Sequence, residues 1–171
     1  MRLLRVFQFA KYRTLDIKEF LSKRLIEIHL DRDPQAELNC RKCGSSMAKG
    51  HGSYKVRIQH MPIFMNHCYL VLRRHKGWCS TCKCVRSEAV DFISEESPHK
   101  SVEYSWWVGR LCEVAPVHEV ADAMNESSAT TWRLNYNRMK RMLGKYKIPK
   151  VRRICVDEVY ARRKKKKGEI G

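Results

Sequence analysis

Two Cys-x-x-Cys pairs constrain the fold of this chain more than any other sequence feature. One pair is Cys40-Arg-Lys-Cys43 and the other is Cys79-Ser-Thr-Cys82. Two thiolates at this spacing can bind one ion from a tight turn, and two such pairs supply the four ligands of a tetrahedral metal site. The 35 residues between Cys43 and Cys79 exceed the commonest spacing of zinc modules, so the intervening segment must fold back on itself.

The segment between the two pairs predicts a β-hairpin. Strands are expected at about Tyr54–His60 and His67–Arg74, which are rich in Val, Ile, Tyr and Leu, with Met61-Pro62 as a break between them. A hairpin returns the chain to its start, so the second cysteine pair can meet the first. This is the plan of a zinc ribbon, and we predict one structural Zn²⁺ bound by Cys40, Cys43, Cys79 and Cys82.

Disulfides are the alternative use of these cysteines. The start of the chain, Met1–Ala10, carries Arg2 and Arg5 and lacks the apolar core and cleavage site of a signal peptide. We therefore expect a reducing compartment, which favours zinc over structural disulfides. Four further side chains close to the pairs leave the ligand set open, because one of them could replace a cysteine: His67, Cys68, His75 and Cys84.

The net charge indicates a polyanionic partner. The chain has 35 basic against 18 acidic side chains, a formal charge of +17. Nucleic acid is the default partner of such a chain, and an acidic membrane surface is the rival. No stretch is long and apolar enough to span a bilayer, and the zinc module favours nucleic acid, so we expect double-stranded DNA and neither a membrane nor a small-molecule substrate. The stretch from Ser128 to Arg153 holds nine basic residues and no acidic one.

The second half of the chain has the apolar spacing of helices. We predict helices over Val102–Glu113, Val117–Met124 and Ser128–Leu143, with Ser101 and Ser127 as N-caps. In the first part of the chain we predict a short helix around 17–25 and a strand over 26–30. The fold class is thus α+β, a zinc-ribbon hairpin followed by an all-α unit.

The second and third helices have helix-turn-helix proportions. Val120, Ala121 and Met124 would face the partner helix, and the third helix would read DNA in the major groove. The alternative is an ordinary helical bundle that does not touch DNA. The charge at this position favours DNA, and the candidate DNA-binding residues are Ser127, Ser128, Trp132, Arg133, Tyr136, Lys140, Arg141 and Lys145.

The order of these parts resembles one family. Over residues 26–171 the chain is similar to the N-terminal part of insertion-sequence transposases of the ISL-three group. The resemblance rests on the four-cysteine framework, on Arg73, Arg74 and Trp78 before the second pair, and on the stretch ending in Val156-Asp157-Glu158. Four segments are expected: an N-terminal segment (1–39), a zinc ribbon (40–90), a helix-turn-helix (100–146) and, as the resemblance implies, the start of an RNase-H-like DDE domain (150–171).

The resemblance also implies a target and a reaction. The target would be the terminal inverted repeats of the element, and Asp157 would be the first carboxylate of the catalytic triad. Two-metal chemistry needs several carboxylates, and the sequence ends 14 residues after Asp157. We therefore expect a truncated, DNA-binding product that is inactive alone, with Mg²⁺ only in a full-length enzyme. The expected location is the bacterial cytoplasm, with nucleoid association, and a homodimer is left open.

Other classes of function are compatible with the same modules. A transcriptional regulator or an inhibitor of transposition would use the zinc ribbon and the helix-turn-helix without any catalysis. A zinc ribbon that binds a protein partner would show binding that is insensitive to salt. A nuclease would need a carboxylate or histidine cluster, and the sequence arranges none convincingly beyond Asp157 and Glu158.

Overall fold

The computed structural model describes residues 9–48 and 50–144, which form a sheet followed by three helices. A single 3₁₀ turn, Leu21–Lys23, joins the first two strands. The hairpin between the cysteine pairs precedes the three helices, as the sequence predicts. The strands are β1 (Tyr12–Phe20), β2 (Leu25–Arg32), β3 (Ser53–Ile63), β4 (Asn66–Cys79) and β5 (Cys84–Ser87), and the helices are α1 (Val102–Leu111), α2 (Val117–Met124) and α3 (Ser128–Leu143).

The sheet joins the N-terminal strands to the hairpin between the cysteine pairs. Its strand order is β1-β2-β4-β3, with β5 paired to β4. The β1–β2 and β3–β4 pairs are antiparallel, whereas β2 and β4 run parallel. β5 pairs only with the last part of β4, from Lys76 to Cys79. The strand predicted at 26–30 lies within β2, and the two hairpins share one sheet.

One face of this sheet is the main apolar core. Alternate residues of a strand point to the same face, and on β2 and β4 these include the fully buried Ile28 and Leu70. The segment after β5 covers this face with Val90, Phe92 and Ile93. The chain between β5 and α1 therefore supplies part of the main core.

The helix predicted around 17–25 is wrong. Ile17–Phe20 belong to β1, and only Leu21–Lys23 form a helical turn. β1 is an edge strand, and its residues from Leu15 onward are exposed. The segment therefore lacks the alternation of buried and exposed side chains that is typical of a strand. Pairing with β2 satisfies the backbone hydrogen bonds of this segment, and that pairing decides its conformation.

The break predicted at Met61-Pro62 is also displaced. β3 continues to Ile63, with an irregular register between His60 and Ile63. The reversal follows at Phe64, whose φ is +54°. β3 is an edge strand, where proline is tolerated because its missing N–H faces away from the ladder.

The three helices start where the sequence predicts. The Ser101 hydroxyl caps α1 by accepting a hydrogen bond of 3.0 Å from the Tyr104 N–H. α1 ends at Leu111, two residues before the predicted end, a difference typical of helix termini. The helices share a second apolar core, made of Tyr104, Val108, Val120, Met124 and Leu134.

Part of the sequence-based interpretation lies outside the described residues. This part comprises Lys145, Asp157 and the whole stretch of 150–171 that is expected to begin an RNase-H-like domain. Within residues 9–48 and 50–144, no helix is both long enough and apolar enough to cross a membrane.

Candidate metal centre and nucleic-acid interface

The four predicted zinc ligands come together at one end of the sheet. The sulfur atoms of Cys40, Cys43, Cys79 and Cys82 all lie within 4.8 Å of one another. Cys40 Sγ is 3.9 Å from Cys82 Sγ, and Cys43 Sγ is 3.4 Å from Cys79 Sγ. A tetrahedron with Zn–S bonds of about 2.3 Å has S–S edges of about 3.8 Å, so the donor set and its spacing fit Zn²⁺.

Tight turns hold each cysteine pair in place. In the first turn the Cys40 N–H donates to the Ser45 carbonyl at 2.8 Å, and Gly44 adopts a φ of +74° that favours glycine. In the second turn Cys79 and Cys84 are paired across β4 and β5. The Cys82 N–H points at the Cys79 sulfur, 3.4 Å away, and so stabilises charge on that ligand.

Little apolar packing supports this end of the sheet. Leu38 and Met47 are the buried apolar residues that cluster with Cys40 and Cys79. Gly77 allows the loop of Leu38 and Met47 to lie against β4, because a Cβ there would be 2.4 Å from the Ala48 carbonyl oxygen. The small size of this cluster means that a metal must supply much of its stability.

The other candidate ligands lie outside the sulfur cluster. Among the described residues, the only group of side chains with metal-binding geometry is the four-cysteine cluster, which excludes His67, His75 and Cys84. Cys68 is fully buried in the main core. Burial raises the pKa of its thiol to about 12, so Cys68 is an uncharged apolar side chain.

Thiols of the cluster differ in pKa. Hydrogen bonds from Ser45 lower the pKa of Cys43 to about 6. Hydrogen bonding to the other thiols, to Cys43 above all, and partial burial raise the pKa of Cys82 to about 12. Zinc must displace such protons, so its affinity falls as the pH is lowered.

The exposed face of α3 carries aromatic and basic side chains. The rings of Trp132 and Tyr136 stack at a centroid distance of 5.2 Å and an angle of 10°. Both remain exposed, Trp132 at 55% and Tyr136 at 46%. Arg133 and Lys140 are exposed beside them, and neither has an ion-pair partner within the described part of the chain. Ser128 is exposed in the first turn.

Other predicted contact residues of α3 already have partners within the protein. The Ser127 hydroxyl caps the helix by accepting from the Thr130 N–H at 3.2 Å. Arg141 Nη2 lies 2.6 Å from both carboxylate oxygens of Glu96. Among the described candidates, Arg133 and Lys140 are therefore the cations without such a partner.

Arg138 belongs to the basic stretch, but it is a structural residue. Its side chain is buried, donates to the Gly109 carbonyl at 3.4 Å and pairs with Glu113. The guanidinium also lies 4.9 Å from the ring centre of Trp106. Arg138 therefore packs α3 against α1 and is not free to bind DNA. The number of basic residues in the stretch does not reveal this burial.

A polar network attaches the turn between α2 and α3 to the sheet. Asn125 takes a left-handed conformation with a φ of +51°, and Glu126 follows it. The Glu126 carboxylate accepts a hydrogen bond of 2.9 Å from the Tyr104 hydroxyl and pairs with Lys100. Lys100 Nζ also donates to Gln59 Oε1 on β3, at 2.9 Å. The turn is therefore held in a fixed position relative to the sheet.

Glu88 organises the junction between the metal centre and the sheet, and the sequence analysis missed it. Its buried carboxylate accepts hydrogen bonds from the Tyr12 hydroxyl at 3.0 Å, from Arg32 Nε at 3.1 Å and from the His75 N–H at 2.7 Å. Its carbonyl accepts from Arg74 Nη2 at 2.7 Å, and its backbone bridges to Cys40. A lone glutamate after a strand has no sequence signal for this role, because its partners come from distant strands.

One family model matches the segment that contains both Cys-x-x-Cys pairs. Residues 38–84 match the model of the zinc-finger of transposase IS204/IS1001/IS1096/IS1165. The comparisons with curated proteins and with solved structures gave no match. The family match covers both cysteine pairs and the hairpin between them. Residues 38–84 are therefore similar to the zinc ribbon of these transposases, and their four clustered cysteines support a structural zinc.

Proposed function

We propose that this protein binds double-stranded DNA as the recognition part of a transposase of this group, with the terminal inverted repeats of its element as the target. The observation that carries the proposal is the match of residues 38–84 to a transposase zinc ribbon. The formal charge of +17 supports it, because such an excess of cations attracts polyanions. The bacterial cytoplasm and its nucleoid are the location that this role requires.

In the proposed complex α2 and α3 act as a helix-turn-helix, with α3 in the major groove. The exposed Arg133 lies in the second turn of α3, where such helices contact base edges, and its guanidinium can donate two hydrogen bonds to guanine. Trp132 and Tyr136 offer apolar contact beside it, and Lys140 can reach phosphate. The anchoring of Glu126 on Lys100 and Tyr104 would keep the geometry of the turn fixed when DNA binds.

The zinc in this proposal is structural. Four cysteine thiolates fill a tetrahedral coordination sphere and leave no open position for water or substrate. The ion would hold Cys40, Cys43, Cys79 and Cys82 together and fix the loops that they carry. Most of the affinity for DNA would come from Lys and Arg contacts to phosphates, which makes binding dependent on salt.

Replacement of Arg133 tests the base-reading role. Arg133→Ala is expected to weaken binding to a duplex selected from a random library about 10- to 100-fold, because a bidentate arginine contributes roughly 1–3 kcal/mol of discrimination. Binding to a random duplex should weaken much less. Fluorescence anisotropy measures the dissociation constants for the two duplexes, and their ratio gives the sequence preference.

The control for this experiment is Lys18→Ala, which removes an exposed cation of β1, the strand at the opposite end of the sheet order from β3. It should leave both affinities close to those of the unsubstituted protein. Equal losses on the two duplexes for Arg133→Ala would remove Arg133 as a base reader. Footprints confined to promoter regions rather than element ends would favour a transcriptional regulator instead.

A further inference from the structure

A notch lined by cations lies beside the metal centre. It has a volume of about 380 Å³ and is lined by Arg41, Lys42, Arg86 and Ser87. Arg41 and Lys42 are the two residues between the first pair of zinc ligands, and Arg86 lies on β5. All three cations are exposed, and none of them forms an ion pair within the described residues. No acidic side chain is among the described residues that line the notch.

The fold fixes the walls of this notch. The Arg41 N–H donates to the Ser87 carbonyl at 3.1 Å, which joins the first cysteine turn to β5. The Ser87 hydroxyl lies 3.1 Å from the Tyr54 hydroxyl on β3. Arg86 is paired with Gly77 of β4 in the ladder that leads to Cys79. The three cations are therefore carried by backbone that the zinc site and the sheet hold in place.

Such a grouping of like charges has no role in stabilising the fold. Cations that share one small concavity repel each other, and the nearest acidic side chains, Asp91 and Glu95, line the neighbouring cavity that Arg41 borders rather than the notch itself. A bound anion would remove the repulsion. The notch offers guanidinium and ammonium donors together with a hydroxyl, a set that matches the oxygens of a phosphate group.

The notch adjoins the C-terminal half of α3. Arg41 Nη2 lies 3.5 Å from the Glu95 carbonyl, and the next residue, Glu96, binds Arg141 of α3. Arg41 and Arg141 also line one neighbouring cavity of about 320 Å³. The eight-residue step from Arg133 to Arg141 spans about 12 Å of helix axis, which is comparable to the width of the major groove. A helix that reads bases through Arg133 would thus bring the notch close to a strand bordering that groove.

We propose that the notch formed by Arg41, Lys42 and Arg86 binds a backbone phosphate of duplex DNA beside the groove that α3 reads. The zinc ribbon then contributes a second, sequence-independent contact, and the metal positions two of its three cations. This inference rests on the proposed function, because it concerns the same DNA complex.

The test compares two double variants that remove equal charge. Arg41→Gln/Arg86→Gln empties the notch of two cations. Lys18→Gln/Lys23→Gln removes two exposed cations near the start of β2, at the other end of the sheet. The register places Leu25 beside His67, and the 12 residue steps of β4 from there to Cys79 span about 40 Å. Zinc content and melting temperature should match the unsubstituted protein in both variants.

Binding to a 30-base-pair random duplex is measured over a range of salt concentrations. Each phosphate contact contributes about 0.9 to the slope of log affinity against log salt, so the notch variant, which loses its one proposed phosphate contact, should have a slope less steep by about 0.9. Its affinity should fall by the same factor on a selected duplex, and the slope of the control should be unchanged.

Three outcomes would overturn the inference. Identical slopes for the notch variant and the unsubstituted protein would exclude a phosphate contact there. Equal loss in the control would mean diffuse attraction rather than a site. In a parallel titration with single-stranded RNA, a loss confined to the RNA would reject duplex DNA as the occupant. Absence of any salt-dependent duplex binding by the unsubstituted protein would instead reject the proposed function itself.

Discussion

Cys40→Ser is expected to abolish zinc binding and to unfold the end of the sheet that carries the cysteines. Serine keeps the shape of the side chain but does not supply a thiolate, and the three remaining thiolates cannot hold a structural zinc tightly. Zinc contributes roughly 10–16 kcal/mol of apparent binding free energy in small finger peptides, which is comparable to the total stability of a whole domain. Metal analysis should show about one zinc per chain in the unsubstituted protein and none in the variant.

The unfolding should be local. Leu38 and Met47 are the apolar side chains that pack on the cysteines, and burial of two such side chains contributes only about 3–6 kcal/mol. The main core around Ile28 and Leu70 lies elsewhere in the sheet and does not involve the ligands. Hydrogen exchange should therefore lose protection at the amides of Cys40 and Met47, and keep it in the middle of β2 and β4.

Cys84→Ser is the matched control for this experiment. Cys84 is half-buried, follows the second pair and lies outside the sulfur cluster. The variant should retain its zinc and the protection of the Cys40 amide. Full zinc content in Cys40→Ser, or loss of zinc in Cys84→Ser, would contradict the assignment of the ligands.

Glu88→Gln is expected to lower the free energy of unfolding by about 3–5 kcal/mol. The Arg32 side chain is only 8% exposed, and the substitution removes the carboxylate that balances its charge. The amide group of glutamine also presents two donors to a site filled by donors from Tyr12, Arg32 and the His75 backbone. Urea denaturation at saturating zinc measures the change, with a fixed metal concentration so that binding does not alter the result.

An exposed ion pair of the same sheet provides the control for Glu88. Arg13 and Asp31 are paired at 3.3 Å with side chains 63% and 47% exposed, so Asp31→Asn should cost less than about 1 kcal/mol. If Glu88→Gln also lowers the free energy of unfolding by less than about 1 kcal/mol, the buried network contributes no more stability than a surface ion pair. Glu88 would then not be the residue that joins β1 and β2 to the metal centre.

Local features of the sequence predicted several parts of the structure correctly. The capping serines at 101 and 127 bond to amides three residues away, so their effect depends only on nearby residues. The two Cys-x-x-Cys pairs predicted their own ligand cluster, because zinc chemistry accepts few other arrangements.

The sequence by itself therefore determined the clustering of the four cysteines, the three helices and the hairpin between the cysteine pairs. Only the tertiary structure decided that Ile17–Phe20 form a strand, since their conformation depends on pairing with β2. It also decided which cations remain exposed: Arg138 is buried against α1, whereas Arg41 and Arg86 share a notch. Caps and ligand turns are interactions over three or four residues, which a sequence displays directly. Strand pairing and the burial of charge join residues that are far apart in the chain, and only the folded chain brings those partners together.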